Sequence, residues 1–126
     1  GPCPIFGLAE DIVHMRVKEG SKIRNLLQFA TARMDAGEGN ETSMRQMVFS
    51  GSGGGVTKTI TCVEILKRRV EGLHQLSKLY YKTVTEIWES PQQGLPGVSR
   101  KKTVPAICIL LSKDPLDAQE PGYQPP

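Results

Sequence analysis

The sequence predicts an α/β fold of order βαβαββ: a four-stranded mixed sheet with two helices on one face. Three observations carry that prediction. Two short segments of alternating apolar and polar residues each run through glycine into a stretch of helical periodicity, the pattern of two βα units. Two β-rich segments follow with no helix between them, the pattern of a terminal hairpin, and the combination argues for both helices on one face. The length, 126 residues, suits one domain with a real core and leaves no room for a second.

Residues 1–13 read as a flexible lead-in, because Pro2, Pro4 and Gly7 break any pattern. The first strand is expected over residues 14–18, where Met15 and Val17 alternate with polar neighbours. Gly20 and Ser21 punctuate, and Ser21 is a good residue type to cap a helix. Ile23, Leu26, Leu27, Ala30 and Met34 then fall on one helical stripe, with Lys22, Arg24 and Arg33 off it. Residues 35–43 are polar, contain glycine and carry net negative charge, so they read as a loop. A second strand over residues 46–49 runs into the glycine-rich segment 50–55. The second helix is expected to turn Val56, Ile60, Val63, Leu66 and Val70 inward, with Glu64 and Arg68 in the favourable i, i+4 order and Gly72 at its end. Residues 76–88, rich in Tyr, Thr, Val, Ile and Trp, make the best long strand. Residues 90–102 read as a loop ending in Arg100, Lys101 and Lys102. The final strand, 104–111, is a continuous apolar run expected to be buried on both faces, with Pro105 at its start or on an edge. Residues 114–126, acidic and then Pro-rich, read as an extended tail after a domain spanning 14–113.

Composition narrows the function. No apolar run approaches the ~18–20 residues of a membrane span. Three cysteines, odd in number and widely spaced, argue against a disulfide framework and for a reducing compartment. His14 and His74 have no cysteine or histidine at ligand spacing, which excludes a zinc site. Cys62 and Cys108 sit in apolar patterns and read as packed thiols. No Ser/His/Asp or paired-carboxylate arrangement can be assembled, so no catalytic centre, metal or cofactor is expected. The chain opens on Gly1-Pro2 without Met, which reads as a cloning or protease scar.

The glycine segment is the first chemical candidate. A strand that delivers glycines to a helix start presents free N–H groups and the helix dipole to phosphate. The spacing fails as a Walker A loop, since Val56 and Thr57 stand where Gly and Lys are required, and Val56 also breaks G-x-G-x-x-G. The plain alternative is a tight turn without ligand. The first helix start repeats the same logic, however: Lys18, Gly20, Ser21, Lys22, Arg24 and Asn25 bring cations and small hydrogen bonders to another helix opening. Parallel strands would deliver both openings to one sheet edge, adding Ser52, Gly53, Gly54, Thr57 and Lys58. Two anion-seeking helix ends side by side suit a polyphosphate backbone better than one small phosphate. Lys67, Arg68 and Arg69 read as a solvated face. Arg100, Lys101 and Lys102 could form the base of a hairpin arm, and Tyr80, Tyr81 and Trp88 divide between core and base stacking. The net charge of +3 is modest, but its placement is not: residues 16–33 carry five basic residues against one acidic, and 67–82 likewise.

At these residues the chain resembles the Alba family of nucleic-acid-binding proteins, and within it the larger Alba-type subunits of nuclear ribonuclease P and ribonuclease MRP. The carrying segments are HMRVKEGSKIRNLL from His14, VFSGSG from Val48, TKTITCVEILKRRV from Thr57 and GLHQ from Gly72; LLSKDPLD from Leu110 and GYQPP from Gly122 are specific to the subunit. The resemblance implies a βαβαββ fold and a non-catalytic scaffold, with the RNA itself performing phosphodiester cleavage. It implies a heterodimer with the smaller Alba-type subunit, binding to the P3 stem-and-loop region of the RNA beside other ribonucleoprotein subunits, in tRNA 5′ and rRNA precursor processing in the nucleus and nucleolus. Lys22, Arg24 and Asn25 match its helix-start RNA contact, and Lys58 its helix-two lysine. One departure stands out. Relatives of this kind usually carry Gly-Arg-Ala where this chain has Gly53, Gly54 and Gly55, so a cation is missing at position 54. They also continue into a low-complexity tail, so the chain reads as a trimmed piece. The alternatives are a general nucleic-acid or chromatin-coating Alba-type homodimer, and a phosphate-metabolising enzyme, which the failed Walker spacing opposes.

Overall fold

The computed structural model describes residues 3–35, 44–88 and 97–126. The elements run β1 (Val13–Arg16), α1 (Ile23–Met34), β2 (Gln46–Ser52), α2 (Gly55–Arg69), β3 (His74–Trp88), β4 (Val98–Ser112) and β5 (Tyr123–Gln124). They form one mixed sheet in the order β1-β2-β4-β3-β5. β1 and β2 are parallel, joined through α1, and every other pairing is antiparallel. The predicted α/β order therefore holds, with one strand more than the four expected.

The extra strand comes from the tail, which folds back instead of standing extended. β3 would otherwise present an unpaired edge. Tyr123 and Gln124 pair with Leu76 and Gln75, and Ser77 N donates to the Gly122 carbonyl at 3.0 Å. Gly122 has φ 93°, and a Cβ there would strike the Ser77 carbonyl, so only glycine fits. Side chains fasten the return: Lys78 Nζ donates to Glu120 at 2.7 Å and to the Pro121 carbonyl at 2.8 Å. The Tyr123 hydroxyl lies 2.7 Å from His74 Nδ1.

Strand alternation divides the interior in two. Met47 and Phe49 of β2 and Ile107, Ile109 and Leu111 of β4 pack with Leu27, Ala30 and Met34 of α1 and with Cys62, Val63 and Leu66 of α2. Val48, Cys108, Leu110 and Leu76 face the other way into a smaller cluster closed by Ile5, with Cys3, Leu8 and Ile12 around it. The lead-in is thus built into the helix-free face, and Cys3 is bonded to Cys108 across a Cα–Cα distance of 5.8 Å. This corrects the reading against disulfides. Spacing in sequence could not show that residue 3 is laid across the outward side of β4. Cys62 is the free, buried thiol, and burial pushes its pKa up.

Two further readings shift. The inner stripe of α2 is Gly55, Thr59, Cys62, Val63 and Leu66, while Ile60 is 41 % exposed. The helix starts with Gly55 pressed on the Val17 carbonyl, where a Cβ would come within 2.6 Å, and that contact sets the register. Glu64 pairs with Lys67 at 3.3 Å rather than with Arg68. The hairpin is also longer than expected: β3 and β4 pair from His74↔Ser112 to Trp88↔Val98. Arg100, Lys101 and Lys102 therefore lie in a strand, paired with Glu86, Thr85 and Val84, and not in a loop. Residues 90–96 of that predicted loop, and 36–43 of the acidic one, lie outside the described residues.

Candidate nucleic-acid interface

Parallel pairing of β1 with β2 sends both strands to the same sheet edge, and both helices begin there. Val17 N donates to the Ser50 carbonyl at 2.7 Å, so the turn after β1 stays attached to β2 before the chain lifts into α1. Ser21 is not the helix cap the sequence suggested. Its Oγ accepts from Lys18 N at 2.9 Å and closes the turn, while Lys22, extended and without a side-chain cap bond, occupies the cap position. The first N–H groups of α1 thus lack a side-chain acceptor.

The glycine segment shapes the second opening. Gly51 has no space for a side chain, since a Cβ would strike Thr59 Oγ1 and sit 2.5 Å from the Gly55 carbonyl. Gly53 has φ 53° and donates its N–H to the Pro105 carbonyl at 2.8 Å, tying the loop to β4. Gly54 caps α2, again with no side-chain cap bond. Neither helix carries an acidic residue in its first turn, so nothing on the helices neutralises their positive ends.

The structure brings together most of the residues singled out in sequence. Lys58 reaches from α2 to the β1–α1 turn, donating Nζ to the Glu19 carbonyl at 2.5 Å and to the Ser21 carbonyl at 2.7 Å. It is a brace between the two openings, with its ammonium already occupied by backbone. Lys18, Gly20, Lys22, Arg24 and Asn25 are exposed around it, as are Gly53, Gly54 and Thr57. Glu19 is the acidic exception, its carboxylate lying where a side chain at position 54 would begin.

The basic run stands apart. β2 ends at Ser52↔Ala106, so the strand residues before Pro105 and after Tyr81 project beyond the sheet as a two-stranded arm. Lys102 on that arm pairs with Glu86 at 3.4 Å. Lys67, Arg68 and Arg69 fall in the last turn of α2, at the opposite edge, where they offset the helix dipole. Sequence reasoning missed Arg16 and Lys82, which share the helix-free face with His14 and Ser50 beside the openings. The period-two spacing of His14 and Arg16 against Val13 and Met15 was the available signal. Among the described residues no three His, Cys, Asp or Glu side chains gather to hold a metal ion.

Residues 13–83 match the Alba family model. The chain is 54 % identical over 136 residues to the human ribonuclease P protein subunit p25, covering 100 % of this chain and 66 % of that one. The human ribonuclease P protein subunit p25-like protein is 49 % identical, with 99 % of this chain and 75 % of that one covered. The Plasmodium falciparum DNA/RNA-binding protein ALBA1 is 32 % identical over 89 % of this chain and 43 % of its own length. The chain thus spans just under two thirds of the p25 subunit it matches.

Proposed function

The chain belongs to the Alba family, and we propose that within it the chain is a non-catalytic RNA-binding subunit of ribonuclease P and ribonuclease MRP. The observation that carries this reading is the pair of uncapped helix N-termini at one sheet edge, ringed by Lys18, Lys22 and Arg24 and free of first-turn acids. Such an edge binds successive phosphates through N–H groups and cations. It reads no base sequence, which suits an A-form stem whose deep groove admits no side chains; shape, 2′-hydroxyls and an adjoining irregular loop are recognised instead. The P3 stem-and-loop is the RNA element of that description, and nucleus and nucleolus are the places of work that follow.

The reading includes a smaller Alba-type subunit as partner. Ile60 of α2 and Leu79 and Tyr81 of β3 are large apolar side chains left in solvent, Leu79 and Tyr81 each 77 % exposed. They lie on the helix side of the sheet, where a second subunit can cover them.

Filter binding tests the proposal with three nucleic acids: a P3-type stem–loop RNA, a plain RNA duplex and a DNA duplex, with and without the smaller subunit. Preference for the stem–loop is expected, strengthened by the partner and falling steeply with salt. Replacing Lys22 and Arg24 by Ala should weaken binding on the order of tenfold and reduce the salt slope by about one per cation. Equal affinity for all three would instead mark a general nucleic-acid coat and overturn the proposal.

A further inference from the structure

A cleft of about 430 Å³ opens on the helix-free face beside the β1–α1 turn, adjoining the helix-start edge at Lys18 and Ser52. Its polar lining is His14, Arg16 and Lys18 from the β1 side, Ser50 and Ser52 from β2, and Lys82 from β3. Register explains the gathering: His14 and Arg16 stand opposite Val48 and Ser50, and Lys82 opposite Val104, two residues along β4 from the partner of Ser52. Among the described residues, Arg16, Lys18 and Lys82 lie within salt-bridge distance of no carboxylate. Three cations, two from the end of β1 and the turn after it and one from within β3, thus converge over serine hydroxyls with no carboxylate within salt-bridge distance among the described residues.

From this we infer that the cleft is a second RNA phosphate site, so that a bound strand leaves the helix openings and turns over the sheet edge between Arg16 and Lys82. Arg16 and Lys82 supply charge and Ser52 a short hydroxyl donor, while the Ser50 hydroxyl at the floor is engaged by His14. Lys18 belongs to the helix-start edge as well and makes the two sites continuous. His14 Nε2 is 2.6 Å from Ser50 Oγ, which holds the imidazole against the floor of the cleft. Burial, then Arg16, then Lys82 push its pKa down from the ordinary histidine value, so the charge of the cleft comes from Arg16, Lys18 and Lys82.

The inference rests on the RNA-binding reading, and the test separates the two. The full chain with its partner subunit is titrated with the stem–loop RNA at several salt concentrations, as wild type, Arg16→Ala/Lys82→Ala, and Lys22→Ala/Arg24→Ala, each checked for an unchanged thermal melt. The expected result is that both double variants bind on the order of tenfold more weakly, each losing about one unit of salt slope per cation. The His14 ring resonances give a local readout that misfolding would not mimic: a phosphate in the cleft raises the imidazole pKa relative to the free protein. Wild-type affinity and slope in Arg16→Ala/Lys82→Ala, with Lys22→Ala/Arg24→Ala weakened, would overturn the second site and leave the first intact. An unmoved His14 titration in the complex would overturn it as well. Failure of the wild type to bind the RNA would remove the parent reading and this one together.

Discussion

His14 shows at the scale of one residue how a gathering of cations trades against stability. Its folded pKa lies below 6.5 because the ring is partly buried and faces Arg16 and Lys82. As pH falls, the unfolded chain therefore takes up the proton first, and folding loses stability from about 6.5 downward through the folded pKa; above that window the full stability is present. Denaturant midpoints measured from neutral to mildly acid pH should fall for the wild type and stay flatter for His14→Gln. An identical decline in both would place the titrating group elsewhere. Gly54 poses the opposite case, a residue where charge can be added. Its φ of −64° is open to any side chain, and the atom in the way is the end of the Glu19 side chain, 2.6 Å from an added Cβ. Gly54→Arg should displace that flexible carboxylate, change stability by no more than about 0.5 kcal/mol, and steepen the salt dependence of RNA binding by about one unit. The same change at Gly53, with φ 53°, should cost about 1–2 kcal/mol in folding stability. Melting curves of the two variants side by side distinguish a vacant binding position from a conformational one.

Between elements, the decisive link is Lys58. The brace from α2 to the Glu19 and Ser21 carbonyls makes the two helix openings one unit. Lys58→Met should lower stability by about 1–2 kcal/mol through two lost charge-assisted bonds. It should also weaken RNA binding while leaving the salt slope near the wild-type value. A slope reduced by about one unit would instead mean that Lys58 leaves the carbonyls for a phosphate. Sequence reasoning placed Lys58 at the start of α2 but could not see this brace, because a lysine at a helix start has the same pattern whether it holds a ligand or a loop. Elements whose signal is local were legible: the α1 stripe of Leu27, Ala30 and Met34 is buried as its spacing implied, and the glycines of residues 51–55 form the strand-to-helix turn. What escaped depends on contacts distant in sequence. The α2 register follows from Gly55 against Val17, the arm from β3 finding a partner as long as itself, and β5 from an edge that needed covering. None of these leaves a periodic trace in the segment concerned.

On the scale of the molecule, the helix-free face is closed by chain ends rather than by a layer of helices. Residues 3–12 supply Ile5, Leu8 and Ile12 to the cluster of Val48, Cys108 and Leu110, and the return through Tyr123 covers Leu76. The apolar contact there is small beside the helix-side core, so the bond from Cys3 to Cys108 carries a large share of what holds the lead-in down. Cutting it restores the freedom of a segment 105 residues distant in sequence, an effect typically worth about 2–4 kcal/mol. Reduction, or Cys3→Ser, should therefore lower the melting temperature and raise hydrogen exchange over residues 4–12. Amides of β2 and β4 near the helix-side core should keep their protection, since Met47, Phe49, Ile109 and Leu111 pack against the helices whatever the lead-in does. Cys3 also lines the cleft that holds Arg16 and Lys82, so the same reduction should loosen one wall of that cleft. The expected signature is a weaker stem–loop RNA complex for Cys3→Ser, with no further loss when Arg16→Ala/Lys82→Ala is added beyond what those two changes cause alone. Equal exchange and equal melting with and without reductant would show that Ile5 and its neighbours hold the lead-in by packing, with the disulfide only recording their proximity.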